Sequence, residues 1–243
     1  MTMKTGIVAK NGFSLIESLL ALTFFLLIIL SSIEFFGSAR TLFFKLRDSQ
    51  WDRESALAAL EKLKGDLLHA GQGLLPPIRL GLLEGIGFED GALILKSAIK
   101  TGVLSEDARA GQTAIKVENA EDFDLGRSIY LFDRDKGESR VIAAADGPDL
   151  TLTSPLAFGY LKEEGSVALV QTISYYLDME RSTLRRRVNS GISQPVLEGV
   201  QAFSAGLTGG GRLAVAGLRL RSKPDTPYEM AVVPKNLALM KEP

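Results

Sequence analysis

The chain has no cysteine, which excludes disulfides, thiolate nucleophiles and Cys-ligated zinc. It has one histidine, His69. Metal sites built on several imidazoles are therefore excluded, and one such group is left for acid–base work. Charge of one sign is also missing: 28 Lys and Arg stand against 29 Asp and Glu, a formal net charge of −1. That balance argues against nucleic acid or another polyanion as a partner. Aromatic residues are modest at 7%. A length of 243 residues allows one sizeable domain plus an anchor, or two small domains.

The motifs that could carry chemistry are incomplete. Gly85-Ile86-Gly87 lacks the third glycine of a dinucleotide loop and precedes no helical pattern. His69 has no neighbouring G-x-S-x-G nucleophile motif; it lies near a helix C-terminus, where a cation is favoured, and reads as a capping or exposed residue. Asp133-Arg134-Asp135-Lys136-Gly137-Glu138 places oxygens at alternate positions, as a calcium loop does. It lacks the twelve-residue pattern and the distal bidentate Glu, and reads as a charged hairpin turn. Arg185-Arg186-Arg187 could face a polyanion, but strand alternation sends Arg186 to the opposite face from its neighbours, so the triplet reads as a solvated edge strand. No enzymatic activity, cofactor or metal is expected.

What the chain does have is a long apolar run near its start. From Phe13 to Phe36 it is interrupted only by Ser14, Glu17, Ser18, Thr23, Ser31, Ser32 and Glu34. As a helix this run is about 36 Å long, enough to span a bilayer core of about 30 Å. A short basic leader, Met1 to Gly12 with Lys4 and Lys10, precedes it. A secretory signal peptide places its cleavage site after the apolar region. Cutting after Gly12 would instead leave the apolar run on the mature chain as an anchor. Arg40, Lys45 and Arg47 after the run offset the two leader lysines. A long following domain translocates largely regardless of such charges, so the expected orientation is N-terminus cytoplasmic, C-terminal domain outside. Glu17 stands out, because a carboxylate inside a span costs about 2.5–3.5 kcal/mol on insertion scales and usually marks function.

Gly12-Phe13-Ser14-Leu15-Ile16-Glu17, behind a basic leader and ahead of about 20 apolar residues, resembles the type III leader of type IV pilins and pseudopilins. The resemblance implies that an inner-membrane prepilin peptidase cuts between Gly12 and Phe13 and that Phe13 is N-methylated. It also implies that Glu17 serves assembly. Independently of the family, a new amino group at Phe13 is a cation at the membrane edge that a carboxylate about one turn away, or on a neighbouring helix, can neutralise. Such pairing is favourable where both charges would otherwise be stranded, and it would set the axial stagger of packed helices.

Past the anchor, no proline occurs between Ser38 and His69, and Gly65 is the only glycine there. Leu46, Leu57, Leu60, Leu63 and Leu67 form an apolar stripe at helical spacing. Gly71, Gly73, Pro76 and Pro77 stop it, and Gly37 offers a kink. The expectation is one helix, membrane-spanning over 13–36 and amphipathic over 37–71, followed by a β-rich domain over 72–243. Strand-like runs are Ala92–Leu95, Thr113–Val117, Ser128–Phe132, Arg140–Ala144, Leu150–Thr153, Val167–Tyr176, Thr183–Val188, Val196–Phe203, Leu213–Arg221 and Tyr228–Val233. Thr183–Val188 follows Ile173–Leu177 across a five-residue connection, which predicts a hairpin. The fold class is α+β: a long N-terminal helix on an antiparallel β domain, with a small β module inserted over 101–165.

The order Leu63–Gly71, Ile173–Asp178, Thr183–Arg186, Pro195–Val200 is similar to that of PilW-type minor pilins and J-type minor pseudopilins. With Glu17 present the chain departs from the K-type tip pseudopilin. The resemblance implies a subunit that initiates or caps a type IV pilus, or its counterpart in a type II secretion system. A filament-displayed adhesin or DNA-uptake module using 101–165 is the further alternative. The implied partners are prepilin peptidase, other pilin or pseudopilin subunits through the N-terminal helix, and the inner-membrane assembly platform. The implied location is the bacterial inner membrane as a single-pass protein, and then the pilus or pseudopilus.

Overall fold

A computed structural model describes residues 14–238. The chain divides into two compact units, Met1–Trp51 and Asp52–Pro243. Helix α1, Leu15–His69, supplies all of the first unit described after Ser14 and the opening element of the second. It runs through Gly37 without interruption, so the expected kink does not break it.

In the first unit the apolar side chains are exposed, from Leu15 through Phe25 to Phe36. This helix is long and apolar enough to cross a membrane. Its hydroxyls are satisfied within the helix: Thr23, Ser32 and Thr41 donate to the carbonyls of Leu19, Ile28 and Gly37 at 2.9, 2.7 and 3.0 Å. Self-satisfied polar groups are what a hydrocarbon environment demands. Phe44 has guanidinium groups on its ring, Arg40 at 5.5 Å and Arg47 at 4.8 Å.

In the second unit α1 buries Ala56, Ala59, Leu60, Leu63 and Leu67. The expected stripe is thus corrected at its N-terminal end. Leu46 and Leu57 are exposed, and the small side chains of Ala56 and Ala59 take the inner face. A five-residue helix α2, Leu75–Arg79, follows. Pro76 and Pro77 open this helix rather than simply ending the previous one, because a first-turn proline lacks only an N–H that would go unused.

The strands are β1 (Ile86–Glu89), β2 (Ala92–Val103), β3 (Ala114–Lys116), β4 (Ser128–Phe132), β5 (Gly137–Asp146), β6 (Asp149–Leu152), β7 (Ser166–Asp178), β8 (Thr183–Val188), β9 (Gln194–Glu198), β10 (Val200–Thr208), β11 (Leu213–Leu220) and β12 (Lys223–Val232), with a terminal turn of helix α3, Lys235–Ala238. Every pairing is antiparallel, so the class is α+β with an antiparallel β domain. Gly199, at φ 70°, splits the expected run Val196–Phe203 into β9 and β10.

Nine strands form one sheet and β10-β11-β12 a second. β7 organises the larger sheet. One of its flanks lies along β2. On the other, Ser166–Leu169 carries β4, and Ile173–Asp178 carries β8. Between these stretches Asn189 holds Thr172 in both directions: Thr172 N–H donates to the Asn189 side chain at 2.9 Å, and Asn189 N–H donates to the Thr172 carbonyl at 2.7 Å.

Buried side chains sort into clusters on the same plan. One joins α1 to β1, β2, the second half of β7, β8 to β12. Another lies between Leu104 and Leu169 and includes Ile129, Leu131, Ile142 and Leu150. A small third cluster, Leu74, Tyr130, Phe132, Ala168 and Val170, packs against Ile78 of α2.

Candidate functional site

Gly12 and Phe13 lie outside the described residues. Glu17 lies in the first turn of α1, where its carboxylate accepts the Ser14 backbone N–H at 3.0 Å. Ser14-Leu15-Ile16-Glu17 is thus half of a capping box, in which a Glu at the third helical position reaches back to an otherwise orphaned N–H. The S-x-x-E spacing was visible in the sequence, yet the charge of Glu17 drew the reading toward pairing alone. The carboxylate can do both: an anion at a helix N-terminus is stabilised by the dipole, and one oxygen remains for a cation.

The remaining sequence-marked residues have structural partners. Asp66, near the end of α1, accepts the Tyr175 hydroxyl at 2.6 Å and Arg186 at 2.7 and 3.2 Å. Tyr175 and Arg186 are cross-strand neighbours on β7 and β8, so one carboxylate ties the helix to two strands. The other two arginines face away, as alternation requires. Arg185 binds Asp178 at 3.0 Å and the Ser193 hydroxyl at 3.0 Å, while Arg187 lies over the Tyr176 ring at 5.8 Å. The expectation of a solvated edge strand is corrected: β8 is paired on both sides, by β7 and β9, and all three guanidinium groups are engaged.

His69 is exposed and donates from Nδ1 to the Gly65 carbonyl at 2.7 Å, a local bond at the helix end. In the Asp133–Glu138 segment, Asp133 accepts the backbone N–H groups of Asp135 and Lys136 at 2.9 Å each and pairs with the Lys136 ammonium at 3.2 Å. Burial works to raise the Asp133 pKa, but those backbone donors and the ammonium outweigh it and hold the carboxyl below its usual range. Glu138 turns inward instead of toward a common centre. It accepts the N–H groups of Ala157 and Phe158 at 2.9 and 3.1 Å and the Tyr160 hydroxyl at 3.1 Å, and it pairs with Arg140. Among the described residues no three His, Asp or Glu side chains are grouped to hold a metal ion.

Two adjoining open clefts, of about 690 and 440 Å³, share Leu75, Pro76, Phe132 and Ser166. Their lining includes the hydroxyls of Thr101 and Ser166 and the carboxylates of Glu118, Asp133 and Glu164, and no imidazole.

Two buried tyrosines give the β domain a testable pH dependence. The Tyr175 and Tyr160 hydroxyls are both pushed well above their ordinary value, first by burial and then by the carboxylates of Asp66 and Glu138. Above about pH 10 an unfolded chain loses these protons while the native one keeps them. Their stabilising contribution is therefore fully present below about pH 10 and is lost as pH rises beyond it. The urea midpoint should fall between about pH 9 and pH 11, and Tyr175→Phe should make that fall shallower. A midpoint indifferent to pH in both proteins would contradict this.

No protein-family model matches the chain, and no curated protein matches it. Local similarity is found to the Gp54 tailspike of Acinetobacter baumannii bacteriophage AP22, solved in complex with A. baumannii capsular saccharide. The identity is 18%, the TM-score 0.29, and the match covers 32% of this chain and 15% of that one. The tailspike gp61 of Pseudomonas phage phi297 gives 19% identity and a TM-score of 0.27, over 30% of this chain and 14% of that one. The matches thus span about a seventh of the tailspikes' length and are too weak to assign a fold or a function.

Proposed function

We propose that this chain is a minor pilin or minor pseudopilin. In this reading prepilin peptidase cuts between Gly12 and Phe13 and Phe13 is N-methylated. The 13–36 segment anchors the chain in the inner membrane with the β domain outside, and the subunit then helps initiate or cap a type IV pilus or the related secretion pseudopilus. The observation that carries the reading is a helix with an exposed apolar surface from Leu15 to Phe36, marked by Glu17 one turn from a Gly-Phe junction. The arginines over Phe44 fit a membrane boundary just past this stretch.

The segment 101–165 is read as an inserted β module displayed on the subunit. Support comes from the buried cluster between Leu104 and Leu169, which draws no residue from α1, and from β4 joining β7 separately from β8.

Paired substitutions separate the two roles of Glu17. Glu17→Gln keeps an acceptor for the Ser14 N–H and removes the charge; Glu17→Ala removes both. Leader cleavage and membrane insertion should persist in each variant. Incorporation into filaments, read by immunoblotting sheared filaments, should fall about tenfold or more in both if charge pairing sets the stagger. Normal incorporation of Glu17→Gln would reduce Glu17 to a helix cap and sink the pairing role.

A further inference from the structure

The free strand edges of the two sheets are unequally protected. Exposed edges invite pairing with another chain, and proteins blunt them with short strands, prolines, charges or covering loops. β1 has four residues and β3 three. β9 carries Pro195, and β12 carries Pro224 and Pro227. The flank of β2 beyond β1 is taken by a loop: Gly71 N–H donates to the Lys96 carbonyl and Ala98 N–H to the Gln72 carbonyl, each at 2.8 Å. β10 is blunted only at its start, where a bulge lies between Val200 and Ala202 and Val200 N–H donates to the Ser182 carbonyl at 2.8 Å; from Phe203 to Thr208 it has none of these devices. It is nine residues long, Val-Gln-Ala-Phe-Ser-Ala-Gly-Leu-Thr, with no proline and no charge.

The direction of its backbone groups follows from strand parity. Arg221 N–H donates to the Gly199 carbonyl, so Arg221 faces β10. Alternation then turns Arg219, Gly217 and Val215 toward β10 as well. Pro227 is opposite Arg219 on β12, and lacking an N–H it suits a position that needs none. The partners of those three residues on β10 are Ala202, Ser204 and Gly206. Phe203, Ala205 and Leu207 must therefore point their N–H and C=O groups away from β11. Among the described residues, no hydrogen bond from outside the ladder reaches them.

We propose that this edge docks a second copy of the chain, strand to strand and antiparallel, about a two-fold axis through Ala205. The outward row is symmetric about that residue. Ala205 meets Ala205 of the second copy, and each Phe203 meets a Leu207. Each of these pairs can exchange two main-chain bonds. Phe203, Ala205 and Leu207 already pack against the core, so the new cross-strand pairs extend an apolar layer. With no charge on the strand, no like charges oppose one another. The contact is isologous and closes at two copies, joining the two three-stranded sheets into one of six. It does not depend on how the leader is processed.

The test uses the full chain in detergent, with multi-angle light scattering across a dilution series. Ala205→Pro removes an outward N–H and leaves the β10–β11 ladder its bonds. Ser204→Lys places two ammonium groups on the joined sheet. Each variant should weaken dimerisation by about tenfold or more with an unchanged circular dichroism spectrum. Because the chain has no cysteine of its own, Ala205→Cys should form a disulfide only between copies, at the axis. A wild-type chain that stays monomeric, a dimer indifferent to both variants, or an edge occupied only by a different protein would each overturn the proposal.

Discussion

Gly12→Ala is expected to leave the whole population of this protein at full length. The family reading makes the glycine before the cut a requirement of the peptidase, and Gly12 lies outside the described residues. Only processing should change. The precursor should still insert, because the apolar run from Phe13 to Phe36 is intact and its length alone suffices to span the bilayer. On a gel the variant should run as the wild type does in cells lacking prepilin peptidase, heavier by the 12 leader residues. It should also fail to enter filaments, since the cation at Phe13 that would meet Glu17 is never released. Wild-type processing of Gly12→Ala would remove the leader reading and the role of Glu17 that rests on it.

Asp66→Ala is the substitution expected to cost the β domain most. Its carboxylate is 18% exposed and the Arg186 guanidinium 17%. Removing it strands a largely buried cation and leaves the fully buried Tyr175 hydroxyl without its acceptor. Breaking one partner of a fully buried pair costs about 3–5 kcal/mol; residual solvent access here lowers the expected loss to about 2–4 kcal/mol. Asp66→Ala with Arg186→Met should be less damaging than Asp66→Ala alone, because the cost lies in the unpaired charge rather than in the missing contact. Chemical denaturation of the wild type, Asp66→Ala, Arg186→Met and the double variant measures this directly. If the double variant is as unstable as the sum of its single changes, Asp66 and Arg186 are not coupled.

The parts of the fold legible in the sequence are those set by local pattern. An apolar run from Phe13 to Phe36 has few structural meanings, and the β4 and β8 boundaries were readable from runs flanked by turn residues. β1 was not read, because four residues with a glycine among them carry little alternation. α2 was hidden by prolines that mark both helix starts and helix stops. The inner face of α1 was misplaced toward Leu46 and Leu57 because hydrophobicity favours large side chains, whereas close approach to the sheet selects Ala56 and Ala59. The Asp66 hub joins residues 109 and 120 positions apart, a relation no local pattern carries. The same blindness made Arg186 look like a surface charge. For the assembly site, the Gly12-Phe13 junction and Glu17 were legible as a leader motif, while the bond from Ser14 to Glu17 shows a second task within the same four residues.

The most direct measurement is the intact mass and N-terminal residue of the wild-type protein, extracted from membranes of cells with and without prepilin peptidase. With the peptidase, the account predicts a chain that starts at Phe13 and is one methyl group heavier than the unmodified 13–243 sequence. Without it, the full 243-residue chain should be recovered. A chain that keeps Met1 through Gly12 in the presence of the peptidase, or that is cut after the apolar run, would contradict it.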